Sequence, residues 1–333
     1  MADARAKELL ETGEARLRSD EVLRATRNAQ SVADNVSRVV FGKEEVIRKV
    51  LAALLADGHV LLEDVPGVGK TMLARALARS ISARFTRIQF TPDLLPADVT
   101  GSSVFNQKSS EFTFKPGPVF TNILLADEIN RTSPRTQSSL LEAMEERQVT
   151  VDGVSHPLPR PFFVVATQNP IEHQGTYDLP EAQLDRFLLR LQIGYPGAVE
   201  EADILETQRL VHPITEIGAV TTLEDLVDFQ AFVRRVYVKH SLREYIVRLS
   251  VETRSHPDVM VGASIRGSLG VMRAAQAWAL IDGRDFVTPD DIKVMAPGVL
   301  CHRLIMLPSA ELAGVKASAV VEGILKKVPV PVQ

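Results

Sequence analysis

One cysteine, Cys301, is all that 333 residues provide. No internal disulfide can form, which suits a reducing compartment. Charge of one sign is not in excess either. Lys and Arg number 38 against 42 Asp and Glu, a formal net charge of −4, so no global basic field draws nucleic acid. Apolar runs are short: AAQAWALI is among the longest, far below the ~18 residues of a membrane span. The first thirty residues, MADARAKELLETGEARLRSDEVLRATRNAQ, are charged throughout and lack the apolar centre of a secretory signal. These absences predict a cytoplasmic protein with no membrane span. The seven histidines (59, 156, 173, 212, 240, 256 and 302) are scattered, with no pair at metal-ligand spacing. No G-x-S-x-G elbow occurs and Cys301 stands in no nucleophile signature. A zinc enzyme and a serine or cysteine hydrolase are thereby set aside.

What is present is an ordinary globular composition, 45% hydrophobic and 24% charged, long enough for two domains. Leu9, Leu10, Leu17 and Leu23 fall near helical spacing in an N-terminal segment, 1–34. VIRKVLAALLADG follows, an apolar stripe that stops at a glycine. Then come five short apolar runs, HVLLE (59–63), RIQF (87–90), NILLAD (122–127), FFVVAT (162–167) and LLRLQI (188–193). Helical patterns such as TMLARALARSI and PRTQSSLLEAMEERQ separate most of them, which predicts an α/β unit over 35–195 with a mainly parallel five-stranded sheet. GSSVFNQKSSEFTFKPGP (101–118) alternates on either side of a polar turn and reads as an inserted hairpin. After GYPG (194–197) the pattern turns helical to the end, so 196–333 is read as a helical unit with the hinge at that glycine pair. Thr288-Pro289-Asp290-Asp291 is one clear helix start within it.

The chemistry begins at LLEDVPGVGKT (61–71). It fits the phosphate loop G-x-x-x-x-G-K-[ST] except that Asp64 stands at the first glycine. Val65, Gly67, Val68 and Gly69 would bring backbone N–H groups up to phosphate, with Pro66 in the loop between them and the helix N-terminus from Lys70 to Met72 behind. Lys70 suits the β- and γ-phosphates, and the Thr71 hydroxyl suits Mg²⁺. A plain glycine-rich turn is the alternative, and Asp64 is the feature that favours it; with its side chain turned to solvent, the phosphate-loop backbone still fits. NILLADE then ends a strand on two acids. Asp127 is placed to hold a metal's water shell and Glu128 to polarise attacking water. The next strand ends in Thr167, Gln168 and Asn169, polar groups able to orient that water. The order of loop, acid pair and strand-end amide is hard to reach by accident.

VPGVGKT (65–71), LLADEINRTSPRTQSSLLEAMEERQVTVDG (124–153), ATQNP (166–170), GTYDLPEAQLDRF (175–187) and GASIRG (262–267) together make the chain resemble an AAA+ ATPase of the MoxR family, over roughly 35–305. The resemblance implies an AAA+ P-loop core with an inserted hairpin and a C-terminal helical lid. It implies ATP and Mg²⁺ as cofactors, and these roles: Lys70, Thr71 and Asp127 at the metal–nucleotide, Glu128 as base, Asn169 as sensor 1. Arg186 would be an arginine finger for a neighbour's γ-phosphate, and Arg266 a sensor 2 reaching its own copy's nucleotide. Gly42, in VVFGKEEV, sits where the family holds adenine. Arg131 is a further candidate to face a neighbour. A homo-oligomer, as a hexameric ring, and a chaperone that remodels client proteins, including ones with a von Willebrand factor A domain, are implied as well. A nucleic-acid-acting or chelatase-type motor and a weakly hydrolysing nucleotide-gated scaffold stand as alternatives. Lys108 and Lys115 beside Glu111 give the inserted hairpin little basic character, which ranks nucleic acid low. Phe105, Phe112 and Phe114 would either meet a partner or pack the hairpin down.

Overall fold

The computed structural model describes residues 16–108, 110–170, 176–207, 209 and 212–331. Leu9, Leu10 and Gly175 lie outside the described residues. Five parallel strands form the central sheet in the order β2–β5–β8–β1–β9, with β1 at Val60–Glu63, β2 at Phe85–Gln89, β5 at Ile123–Asp127, β8 at Phe163–Gln168 and β9 at Leu189–Leu191. All five expected apolar runs therefore become strands. β5 and β8 read as unbroken apolar runs because both their faces are covered. Alternate side chains go to opposite sides: Ile123 and Leu125 join one buried cluster, Leu124 and Ala126 the other.

Helix Lys70–Ser80 leaves β1 and helix Pro134–Glu146 follows β5. Ser133 caps the latter by accepting from Thr136 N–H, with Pro134 at its first turn. The inserted hairpin is β3 (Gly101–Asn106) against β4 (Glu111–Pro116), antiparallel. A second hairpin, β6 (Gln148–Val151) against β7 (Val154–Pro157), is additional to the expected elements. Asp152 and Gly153 close it with positive φ at both positions, the Asp-Gly turn that two-residue hairpins favour.

Beyond Gly194 the chain is mostly helical, with two short strands, β10 (Val259–Val261) and β11 (Ile305–Met306), pairing there where a purely helical unit was expected. Within the N-terminal segment expected to be helical, a helix spans Ser19–Ser37. Its Val32 and Val36 share one buried cluster with Val50 and Leu54 of helix Glu44–Leu55, with Ala275 of helix Ile265–Ile281 and with Val299 of helix Pro289–Leu300. That cluster continues onto the sheet through Val60 and Leu62, so the N-terminal helix is bound into the core. Among the described residues no helix is long and apolar enough to cross a membrane.

Candidate functional site

The carboxyl ends of parallel strands are where a sheet of this kind holds ligands, and three of the predicted groups meet there. β1 runs into the glycine loop, β5 ends at Asp127, and β8 ends at Gln168, just before Asn169. Gly67 and Gly69 hold φ of +87° and +92°, and a Cβ added at either would meet nothing within 4 Å. The loop thus faces open space. No side chain caps helix Lys70–Ser80, so its first-turn N–H groups, including those of Thr71 and Met72, are the donors an anion would need. Val68 is buried beneath the loop, while Pro66 and Gly67 are exposed and Val65 is half-buried. These features fit a bound phosphate chain.

Lys70 Nζ donates to the Asp64 carbonyl oxygen at 2.5 Å. Burial pulls the Lys70 ammonium below the usual lysine range, opposed by the carboxylates of Asp127, Asp64 and Glu128 around it. The amine and both acids of the predicted constellation are thus electrostatic neighbours. Thr167, fully buried, aligns the acids: its hydroxyl donates to Asp127 Oδ1 at 2.6 Å and accepts from Glu128 N–H at 2.8 Å. Glu128 sits in the left-handed region at φ +57° and ψ +50°, a conformation non-glycine residues hold only where surroundings enforce it.

Two residues that sequence reasoning missed complete this edge. Arg87 of β2 clamps Asp127 Oδ2, with Nη2 at 2.6 Å and Nε at 3.1 Å. Gln89 Nε2 donates to Glu128 Oε2 at 2.6 Å. Their spacing of two puts both on one face of β2, and β2 lies beside β5 with Gln89 opposite Asp127. Arg131, a candidate to face a neighbour, instead reaches Glu128 Oε2 at 2.9 Å within the chain. Among the described residues, no group of three or more His, Cys, Asp or Glu is arranged to hold a metal. The donors here are Thr71 and Asp127, which suit Mg²⁺ carried in on phosphates and water rather than a protein cage.

Asp64 differs from its expected pose. Its carboxylate does not turn to solvent: Oδ1 accepts from Val65 N–H at 2.9 Å, and Oδ2 from Ile193 N–H at 2.8 Å and Gly194 N–H at 2.6 Å. The side chain therefore ties the loop entrance to the end of the sheet at the hinge glycine. Gly42, exposed at φ +65°, lies on the same side, where an added Cβ would come within 2.6 Å of the Glu200 side chain.

Arg186 and Arg266 stand elsewhere. Both pair with one carboxylate, Glu145, at 3.0 Å and 2.7 Å, and Arg266 also lies 3.8 Å from Asp185. Arg186 precedes β9, and Leu188 N–H bonds His59 O just before β1 at 2.8 Å. This is the amino edge of the sheet. The loop and acids lie at the carboxyl edge, a four-residue strand away, or about 10 Å. Arg266, expected to reach its own copy's nucleotide, thus lies at the opposite edge of the sheet from its own phosphate loop. The reason is packing: helix Ile265–Ile281 approaches closely at Gly270, where a Cβ would meet Val299 at 3.0 Å and Leu188 at 3.4 Å. That contact carries Arg266 to the Arg186 turn. On the inserted hairpin, Phe105 and Phe112 are exposed with rings 5.3 Å apart, while Phe114 stacks on His156 at 3.9 Å. Phe114 is thus packed down, while Phe105 and Phe112 remain exposed.

Two family models match the chain: the ATPase family associated with various cellular activities (AAA) over residues 59–189, and the AAA lid domain over residues 251–324. The Bacillus subtilis protein YeaC is 57% identical over 90% of this chain and 94% of its own. Chaperone MoxR1 of Mycobacterium tuberculosis is 42% identical, covering 89% of this chain and 80% of that one. A crystal structure from Cytophaga hutchinsonii superposes with a TM-score of 0.88 at 37% identity, over 97% of this chain and 99% of that one.

Proposed function

The chain belongs to the MoxR family of AAA+ ATPases, and we propose that it hydrolyses Mg-ATP at sites shared between copies and spends the cycle remodelling a partner protein. The observation that carries this reading is the convergence of Lys70, Asp127 and the Thr167-held Glu128 at one sheet edge. Lys70 leaves the Asp64 carbonyl and meets phosphate. Thr71 and Asp127 would hold Mg²⁺, which when bound would neutralise phosphate charge. Glu128 accepts a proton from the attacking water after its bonds to Gln89 and Arg131 open, and Asn169 orients that water.

Arg186 and Arg266 complete the site of a neighbour. They share Glu145, so they arrive as a pair, where sequence reasoning assigned one to each copy. Guanidiniums supplied in this way contribute on the order of 10³–10⁵ in turnover in GTPases. A head-to-tail arrangement that closes is a ring, and the family resemblance sets six as its size. The family models at 59–189 and 251–324 support a nucleotide-binding unit over 35–195 and a lid over 196–333, hinged at Gly194. The client is a protein, with von Willebrand factor A domains the first class to test. Its contact is the exposed Phe105–Phe112 pair.

The test is ATP turnover per chain against protein concentration, for wild type and Glu128→Gln. Wild-type turnover per chain should climb as copies assemble. The variant should bind ATP and lose at least about 100-fold in rate. Wild-type turnover in Glu128→Gln would refute the reading. The same variant, held with ATP, should retain the client in a pulldown.

A further inference from the structure

We infer that Arg303 is a positioning residue for Arg186, so that the helical layer controls the arginine a copy presents to its neighbour. The inference rests on the reading that Arg186 completes a neighbour's site. Arg303 follows helix Pro289–Leu300, and its side chain is 4% exposed. Its Nε donates to Asp185 Oδ1 at 2.6 Å, its Nη2 to the carbonyls of Asp185 at 3.1 Å and Phe187 at 2.8 Å, and its Nη1 to that of Leu188 at 3.3 Å. These four contacts fall on residues just before or just after Arg186, while Nη1 also donates to the Val299 carbonyl of the preceding helix and meets His302. A guanidinium offers five donors in a rigid fork and so satisfies several oxygens of one turn together, which a lysine ammonium does not match.

The grip runs between elements far apart in sequence, since 118 residues separate Arg303 from Asp185. The helix that leads into Arg303 also packs on the sheet: a Cβ at Gly298 would meet Leu191 at 3.3 Å and Leu189 at 3.4 Å. A shift of this helix moves the Arg186 turn with it. Asp185 is also shared, since Arg266 lies 3.8 Å from its other oxygen. One buried residue thereby holds the turn that carries the half-buried Arg186, and Arg266 of helix Ile265–Ile281 meets the same Asp185. Nucleotide binding in Arg303's own copy does not need it, because the phosphate loop is on the opposite edge.

Directional complementation separates this from a merely structural role. Glu128→Gln copies lack the base and keep their arginine; Arg186→Ala copies keep the base and present no arginine. Mixed one to one in random rings, they should recover about a quarter of wild-type turnover, because half the copies keep a base and half of those receive an arginine. If that mixture stays silent, the shared-site reading itself fails. With it active, Arg303→Lys is expected to bind a fluorescent ATP analogue as wild type does, to lose at least about tenfold in its own turnover, and to be rescued by Glu128→Gln copies. The double variant Glu128→Gln, Arg303→Lys should fail to rescue Arg186→Ala. Wild-type turnover in Arg303→Lys, or no rescue of it by Glu128→Gln copies, would overturn the inference. Asp185→Asn, which alters the partly exposed end of the pair, is expected to show the same direction of rescue. It keeps the test decisive should Arg303→Lys fold poorly.

Discussion

Thr167→Val removes a single oxygen from the centre of the acid pair and keeps the shape. The hydroxyl is fully buried, so neither of its partners gains water when it goes. Losing the bond to the ionised Asp127 carboxylate (2.6 Å) costs about 1.5–3 kcal/mol. Leaving the Glu128 N–H unpaired (2.8 Å to the hydroxyl) costs about 1–3 kcal/mol. The added methyl returns about 0.8 kcal/mol. The net loss should be about 2–5 kcal/mol, read as a lower urea midpoint at unchanged slope. Thr167→Ser keeps both bonds and loses only a methyl group, so it should cost about 0.5–1.5 kcal/mol. Turnover should separate the two more sharply, because the hydroxyl fixes the backbone of Glu128 as well as the side chain of Asp127. A shift of about 1 Å in such groups costs on the order of 100-fold. Valine should show that loss and serine should not. A valine variant within about 1 kcal/mol of wild type, or a serine variant equally inactive, would refute the assignment of Thr167 as the aligning group.

Asp64→Gly moves the loop toward its common form, yet it should weaken the protein by about 2–4 kcal/mol in urea unfolding. Two backbone N–H groups at Ile193 and Gly194 lose a charged acceptor; faster hydrogen exchange at those two amides would identify the cause, and unchanged exchange would contradict it. Stability should also fall as pH drops from about 6.5 toward 5. His59 and His302 are both held well below the usual histidine range, chiefly by burial and then by Arg147 and Arg303 beside them. They stay neutral in the fold while the unfolded chain takes up protons near its ordinary value, about 6.5. The unfolded state binds more protons in that window, so each histidine contributes a slope of up to about 1.4 kcal/mol per pH unit. A urea midpoint flat between pH 7 and 5 would count against this.

The legible part of the fold came from periodicity. β1, β5 and β8 are apolar runs because both faces are covered, and a parallel sheet then places their carboxyl ends together. Asp127 and the glycine loop were readable as one site for that reason alone. The Asp152-Gly153 turn was readable too, since QVTV and VSHP flank it, but the run before it is helical and the strands are only four residues each. Other features had no local signal. The bond of Asp64 to Gly194 spans 130 positions and that of Arg266 to Glu145 spans 121. Long side chains on separate elements meet only once the helices have packed. Arg186 and Arg266 were therefore assigned to different nucleotides from the family resemblance, whereas the close approach of Gly270 to Leu188 brings both to one carboxylate. The wet side of β2 was missed for a similar cause. Arg87 and Gln89 look like solvent-facing residues until β5 is placed beside them.

The position of Glu145 gives the proposed assembly a nucleotide requirement. In the single chain its carboxylate pairs with both Arg186 and Arg266, at 3.0 Å and 2.7 Å, so each guanidinium already has an acidic partner, although one negative charge offsets only half of their total. Glu145 is partly exposed, at 36%, and exposed pairs of this kind are worth only about 0–1 kcal/mol. A neighbour's triphosphate carries several negative charges and would outcompete one carboxylate in a pocket that its own arrival dehydrates. An empty or diphosphate-filled neighbour offers less, and the arginines fall back to Glu145. Glu145→Gln weakens that fallback without touching the phosphate loop. Copies of this variant should therefore assemble at lower ATP concentration than wild type, as followed by light scattering during an ATP titration. An unchanged or higher ATP requirement would show that Glu145 does not compete with the neighbour's phosphates, and that its pairing with the two arginines serves the fold of the single chain instead.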